Sequence, residues 1–254
     1  MRSLSTVIIT FNEEEKIERC IRSAWEVSDE VLILDSFSTD KTLEIAQSLG
    51  AKIYQNEFLG FIKQRGLSIE KAQHDFVLAL DADEYLDEEL KEAIIKVKTH
   101  PTADCYQLNR MSSLAGHWLR WGTWYPHRII RLFDRKQAIA SGNPPHDRVE
   151  ALAGAQIKNL KGRLMHEAYD SVEDRMIGMR KHALTAAHHR HDLGQGSFWT
   201  KVYLKTFWKF FHEFIIRMGF FDGYYGYIAA LSNAKYIYIR ESKLIELSKS
   251  SLRS

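Results

Sequence analysis

Residues 76–84 read FVLALDADE, five apolar residues followed by three carboxylates in four positions. So short and continuous an apolar run suits a strand buried on both faces of a parallel sheet. Asp81 and Asp83, flanking the small Ala82, then stand at the strand's carboxyl end, with Glu84 after them. Two carboxylates there repel each other and lose hydration unless a cation lies between them. A hard divalent ion that also binds phosphate oxygens supplies it. The competing reading is a helix N-terminus, where the dipole favours acidic residues. The preceding strand and the pattern around it favour the metal–diphosphate reading.

Working outward, the first hundred residues alternate strand and helix signals. Residues 4–10 (LSTVIIT), 31–34 (VLIL) and 51–54 read as further strands. Residues 13–25 place Ile17, Cys20, Ile21 and Ala24 at helical spacing, and Leu43, Ala46 and Leu49 do the same after Asp40, stopping at Gly50. Helices are also predicted over 61–72 and 86–98. This alternation gives βαβ units and a mainly parallel sheet. Ligands of such sheets lie beyond the strands' carboxyl ends. The residues there are Thr10 and Asn12, then Asp35 and Ser36, then 81–84. Asn12 also reads as the cap of the following helix, with Glu13, Glu14 and Glu15 in its first turn. Asp35 suits hydrogen bonds from a nucleobase or ribose. Residues 104–109 and 128–133 read as strands, and the chain is predicted helical from Ser171 with a break at 194–196.

Composition excludes several classes. With 254 residues, 45% hydrophobic and 27% charged, the chain is globular rather than disordered. Two cysteines, Cys20 and Cys105, exclude a disulfide framework and a zinc–cysteine site. The apolar stretch near the N-terminus is too short for a signal peptide, so cytoplasmic residence is expected. The net charge of +2 conceals an asymmetry. Residues 1–100 carry 12 Lys/Arg against 20 Asp/Glu, and residues 101–254 carry 23 against 13. Such a split points to different partners for the two parts.

Half of the aromatic residues, 15 of 30, fall in residues 198–238, punctuated by Lys201, Lys205, Lys209 and Arg217. No uncharged apolar stretch there is long enough to cross a bilayer. The stretch reads as an interfacial membrane helix in preference to a helix packed on the core or in a dimer. Arg180, Lys181, His188, His189, Arg190 and His191 form a basic face suited to phosphorylated sugars or lipid. Nucleic acid is not expected as a partner, because no nucleic-acid motif is present.

Four segments, TFNEEEKIERCIRSA, DEVLILDSFSTDKTLEIA, GFIKQRGLSIEKA and FVLALDADEYL, resemble family 2 glycosyltransferases of the GT-A fold. Within that family the chain is most similar to the lipopolysaccharide core heptose β-1,4-glucosyltransferase group. The segments YPHRIIRLFDR, PPHDRVE, GRLMHEAYDS and GFFDGYYGYIAALSNAKY extend the similarity over most of the chain. The fold implied is α/β, a GT-A Rossmann-like mixed sheet with flanking helices and a helical C-terminal extension. Residues 1–100 would bind the nucleotide-sugar, residues 101–170 would form the acceptor side, and residues 171–254 would be helical and membrane-associating.

By the same resemblance Thr10, Asn12 and Glu14 match the first nucleotide-contacting loop, Asp35 the carboxylate that reads uracil, and Ser36 its neighbour. Gln64 and Arg65 match a polar–basic pair near the nucleotide. Asp83 matches the metal-binding aspartate, with Asp81 on ribose or metal waters and Ala82 between them. The implied donor is a UDP-sugar, with glucose as the sugar, and the implied ion is Mg²⁺ or Mn²⁺. Two departures bear on the donor: Phe37 stands where the family often has Gly, and Gly66 where it often has Asn.

An inverting transfer needs one general base. In PPHDRVE, similarity in position selects Asp147 as that base, with His146 as competitor; Asp147 also reads as an ion-pair partner of Arg148 or Arg128. His166 reads as a further metal ligand or as a structural histidine. Arg128 and Arg131 are expected on one strand face, holding acceptor phosphates or facing solvent.

The sequence thus reads as an inverting, metal-dependent glycosyltransferase on a lipid-linked glycan acceptor, peripheral on the cytoplasmic face of the inner membrane. Nucleotidyl transfer on a similar core would want a glycine-rich phosphate loop where TFNEEE stands. A non-catalytic glycan- or membrane-binding module would not need Asp35, Asp81 and Asp83 together. Oligomeric state is left open.

Overall fold

The run LSTVIIT forms β1 (Leu4–Thr10), buried at every position. After it come α1 (Ile17–Trp25), β2 (Glu30–Asp35), α2 (Thr42–Ser48), β3 (Lys52–Gln55), α3 (Phe61–Lys71) and β4 (Phe76–Asp81). β3, β2, β1 and β4 lie side by side and parallel, as the alternating pattern predicts. Alternate residues of the central strands feed two cores. Leu4, Ile8, Val31, Ile33, Leu78 and Leu80 pack with Ile17, Cys20 and Ile21 of α1. Val7, Leu32, Val77 and Ala79 pack with Ile69 of α3 on the other face. A strand buried on both faces has no polar face to alternate, so its sequence is apolar throughout.

The computed structural model describes the backbone of residues 1–143 and 146–251. Its later elements are β5 (Glu84–Leu86), α4 (Glu88–Thr99), β6 (Cys105–Leu114), β7 (His117–Trp118), β8 (His127–Asp134), β9 (Ala138–Asn143), β10 (His146–Ala151), β11 (Ile157–Asn159) and β12 (Leu164–Tyr169). Three helices follow, α5 (Val172–Asp192), α6 (Trp199–Phe211) and α7 (Gly223–Ser251). A π-helical turn (His212–Ile216) and a 3-10 turn (Gly219–Asp222) link the last two. The sheet runs β3-β2-β1-β4-β8-β6-β12-β5, with β11 also on β6. It becomes antiparallel at β8 and is therefore mixed. β9 and β10 form a separate antiparallel pair.

Two expectations are corrected here. The helix predicted from residue 86 begins at Glu88, because Asp87 caps it by accepting from the Leu90 amide at 2.9 Å. The residues before it form β5, whose three-residue length leaves no periodicity to read. Asn12 does not cap α1. It takes a positive φ of 54°, and its Oδ1 accepts from the Thr39 amide at 2.8 Å, across to the loop after β2.

Contacts group Met1–Arg110 with His127–His166, and Met111–Pro126 with Glu167–Ser254. The second unit is mostly helical. Ser171 caps α5 by accepting from the Asp174 amide at 3.0 Å. Arg175, nearly buried, donates to Ser232, Asn233 and the Tyr169 hydroxyl, so its charge is solvated by the protein. Among the described residues no helix is long and apolar enough to cross a membrane.

Candidate active site

Parallel register lines up the strand ends: Thr10 stands opposite Asp35, and Ile9 opposite Asp81. The residues expected from three separate motifs therefore share one edge of the first unit. Asp35 is fully buried, and its carboxylate accepts from the Ser38 amide at 2.9 Å, the Ser38 hydroxyl, and Gln55 Nε2 at 3.1 Å. The Ser36 amide donates to the Thr10 carbonyl at 3.0 Å, and Gln64 Nε2 donates to Ser36 Oγ at 3.1 Å. Glu14 accepts from the Lys41 amide at 2.8 Å, tying the loop after β1 to the start of α2. Thr10 Oγ1 and Gln64 Oε1 are buried without a partner among the described residues. A buried polar atom left open costs free energy unless a ligand pairs with it.

The DAD turn joins β4 to β5 and is not a helix N-terminus. That excludes the simple dipole reading of its acids. Asp81 is held by Arg65 and by Arg131 Nη2, the latter at 2.6 Å. Arg65 is fully buried and also donates to the Leu80 carbonyl at 2.8 Å. Burial alone would raise the Asp81 pKa. Arg131, then Arg65, Arg110 and His166, outweigh it and keep the carboxyl well below its ordinary range.

Glu84 is fully buried: its Oε2 accepts from the Asp81 amide at 3.0 Å, and its Oε1 lies 3.2 Å from Arg131 and 3.4 Å from Arg110. Arg110 Nη2 lies 3.2 Å from His127 Nδ1. Burial, then Arg110, Arg131 and His166, push the His127 pKa down to about 4, so its imidazole is neutral at pH 7 and accepts from Arg110. Of Glu84, Arg110 and His127, only Glu84, the third acid of FVLALDADE, carries a local sequence signal.

Asp83 is arranged differently. Its Oδ2 lies 3.3 Å from His166 Nε2, and its Oδ1 is buried with no partner among the described residues. The approach follows from register, since β12 pairs antiparallel with β5 and sets His166 opposite Glu84. An open carboxylate oxygen beside an imidazole is a suitable donor set for a hard divalent ion whose other positions are filled by phosphate and water. No group of three or more His, Cys, Asp or Glu among the described residues is placed to hold a metal without such help.

Arg131 is 5% exposed and committed to Asp81 and Glu84, whereas Arg128 is solvent-exposed. Arg131 therefore neither faces solvent nor stands free for an acceptor phosphate. The register shift in the β6–β8 pairing falls at Arg131, and across it residues three apart, such as Ile130 and Phe133, enter the same core. His146 and Asp147 pair through the β10 backbone with Asn143 and Gly142, and their side chains lie outside the described residues, as do Pro144 and Pro145 entirely. Nearby, Arg148 pairs with Glu150 at 2.5 Å.

The family model described as Glycosyl transferase family 2 matches residues 5–158. An uncharacterized glycosyltransferase of Rickettsia bellii is 30% identical over 257 residues, covering 97% of this chain and 87% of that protein. A second, from Rickettsia typhi, is 31% identical over 261 residues, covering 98% and 88%. Among solved structures, Staphylococcus aureus TarS 1–349 is 17% identical with a TM-score of 0.43, covering 99% of this chain and 91% of that one. Glucosyl-3-phosphoglycerate synthase of Mycobacterium tuberculosis, in complex with Mn²⁺, UDP and glucosyl-3-phosphoglycerate, is 23% identical with a TM-score of 0.38 over 44% of each chain.

Proposed function

We propose, given that this chain belongs to glycosyl transferase family 2, that it is an inverting, metal-dependent glycosyltransferase that moves glucose from a UDP-sugar to a lipid-linked glycan. The observation that carries the metal-dependent reading is Asp83, whose buried Oδ1 stands open beside His166 at the end of β4. Asp83 and His166 would hold Mg²⁺ or Mn²⁺, which offsets the charge that develops on the departing diphosphate. Asp81 does not face this task directly. Bound by Arg65 and Arg131, it fixes the end of β4 so that Asp83 is presented in one orientation.

Asp35 and Ser36, with Thr10, Asn12 and Glu14 on the adjoining loop, would seat the uridine, and Gln64 Oε1 offers an acceptor toward it. Asp147, near the start of β10 and just after two prolines, would take the proton of the acceptor hydroxyl. That oxygen then bonds to the sugar's anomeric carbon from the face opposite the bond to UDP, which breaks and carries its electron pair to the diphosphate.

The acceptor reading draws support from the resemblance to the lipopolysaccharide core glucosyltransferases and from the second unit, where aromatic side chains stand exposed among lysines. Such an enzyme works peripherally, on the cytoplasmic face of the inner membrane. Calorimetry of UDP with and without Mn²⁺, followed by UDP release in the presence of a heptose-terminated acceptor, tests the reading. Asp83→Ala should abolish Mn²⁺-dependent UDP binding and transfer. Asp147→Asn should keep binding and lose transfer. Normal turnover by Asp83→Ala at low free metal would refute the metal assignment.

A further inference from the structure

We propose that Arg190, Lys205 and Arg240 form a site for the phosphate of an acidic phospholipid, and that the outward face of α6 lies in the bilayer interface beside it. This rests on the membrane-surface reading above and assigns it to particular residues. Glu241 on α7 is fully buried. Its Oε1 lies 2.6 Å from Arg190 Nη1, 2.7 Å from Arg240 Nη2 and 3.9 Å from Lys205 Nζ, and its Oε2 accepts from Ser197 Oγ at 2.7 Å.

One carboxylate neutralises one of these three cations. Two positive charges remain, in a setting where the Arg190 and Arg240 side chains are 21% and 19% exposed. Charge withdrawn from water without a partner is costly. The Lys205 ammonium is disfavoured by burial, which Glu241 opposes and Lys201, Arg190 and Arg240 reinforce. Arg240 Nε is buried without an acceptor among the described residues. An anion with several oxygens satisfies both deficits, and a phosphate group matches guanidinium geometry.

The source of that phosphate is indicated by α6. A surface helix ordinarily turns its apolar stripe inward. On α6 Val202 is buried, while Tyr203, Leu204, Phe207 and Trp208 are 58–69% exposed. Lys201 and Lys205, one turn apart, flank these rings. Trp199 stacks on Tyr203 at 5.9 Å, and Tyr203 lies 6.5 Å from Tyr238, two residues from Arg240. Rings at headgroup depth with cations on the phosphates is the arrangement of a helix lying in an anionic membrane surface.

Flotation of the full chain with vesicles of phosphatidylcholine alone, and of phosphatidylcholine with phosphatidylglycerol, tests the proposal. Binding is expected only to the mixed vesicles. Lys205→Gln should lower the partition coefficient about five-fold, and Phe207→Ser with Trp208→Ser should abolish binding. These exposed positions leave the fold intact by circular dichroism. Mn²⁺-dependent UDP affinity should stay unchanged in both variants, so failure here is distinguishable from failure of the glycosyltransferase reading.

Equal binding to both vesicle types, or undiminished binding by Lys205→Gln, would overturn the proposal. So would stabilisation by inorganic phosphate that Lys205→Gln removes without any vesicle binding, which marks a soluble ligand. A dimer in sedimentation that Phe207→Ser dissociates, again without vesicle binding, would make a second copy the occupant of the α6 face.

Discussion

Phe37 is a non-glycine residue held at φ 62°, one residue past Ser36. The left-handed region costs such a residue about 1–2 kcal/mol, and the ring is exposed rather than packed. Phe37→Gly should therefore raise the urea midpoint by an amount worth about 1 kcal/mol; a fall would show that the ring packs. The departure noted in the sequence thus marks a strained turn beside the candidate nucleotide site. His127 gives a pH expectation. Its folded pKa of about 4 lies below the ordinary 6.5, so the unfolded chain binds more protons between these values. Stability is then complete above pH 6.5 and is lost as pH falls toward 4. His127→Gln keeps an acceptor for Arg110 but cannot titrate, and should flatten that stretch of the stability–pH curve. An unchanged slope would assign the acid sensitivity to other groups.

At the scale of elements, register does the positioning. The parallel pairing of β1 with β2 and β4 brings Thr10, Asp35 and Asp81 to one edge, and the antiparallel pairing of β5 with β12 delivers His166 to Asp83. The turn before β12 depends on Gly162, at φ +85°, where an added Cβ would lie 2.2 Å from the Leu90 amide nitrogen at the start of α4. Gly162→Ala meets a backbone cost of about 1–3 kcal/mol from φ alone, before that clash is relieved. Thermal unfolding should show a clear drop in midpoint, and weakened Mn²⁺-dependent UDP binding should accompany it if β12 shifts along β5. Gly66 is the contrasting case. A Cβ there would meet only Ala140 Cβ at 3.8 Å, an ordinary contact, so packing does not require glycine at that position.

For the whole molecule, ligand linkage is the direct check. UDP with Mn²⁺ at about 100 times its dissociation constant should stabilise the protein by about 2.7 kcal/mol, with EDTA reversing the shift and Asp83→Ala showing none. The charge asymmetry also acquires a structural content: in the acidic first hundred residues Asp81 and Glu84 are neutralised by buried arginines, while in the basic remainder Arg190, Lys205 and Arg240 exceed the single Glu241. The parallel strands, their helices and the acids at their ends were legible in the sequence, because buried strands and amphipathic helices write their burial directly into residue pattern. The family was legible for the same reason, in local motifs at strand ends. The arginine network around Asp81 and the overcharged cluster at Glu241 were not, and of the two readings the sequence left for His166, ligand or structural, only the fold sets it beside Asp83. Apart from the neighbours Arg240 and Glu241, those pairings join residues 16 to 83 positions apart in the chain, and no local periodicity encodes which distant cation meets which carboxylate. Strand register and helix packing decided them, because only in the folded chain does a buried charge find the partner that offsets its lost hydration.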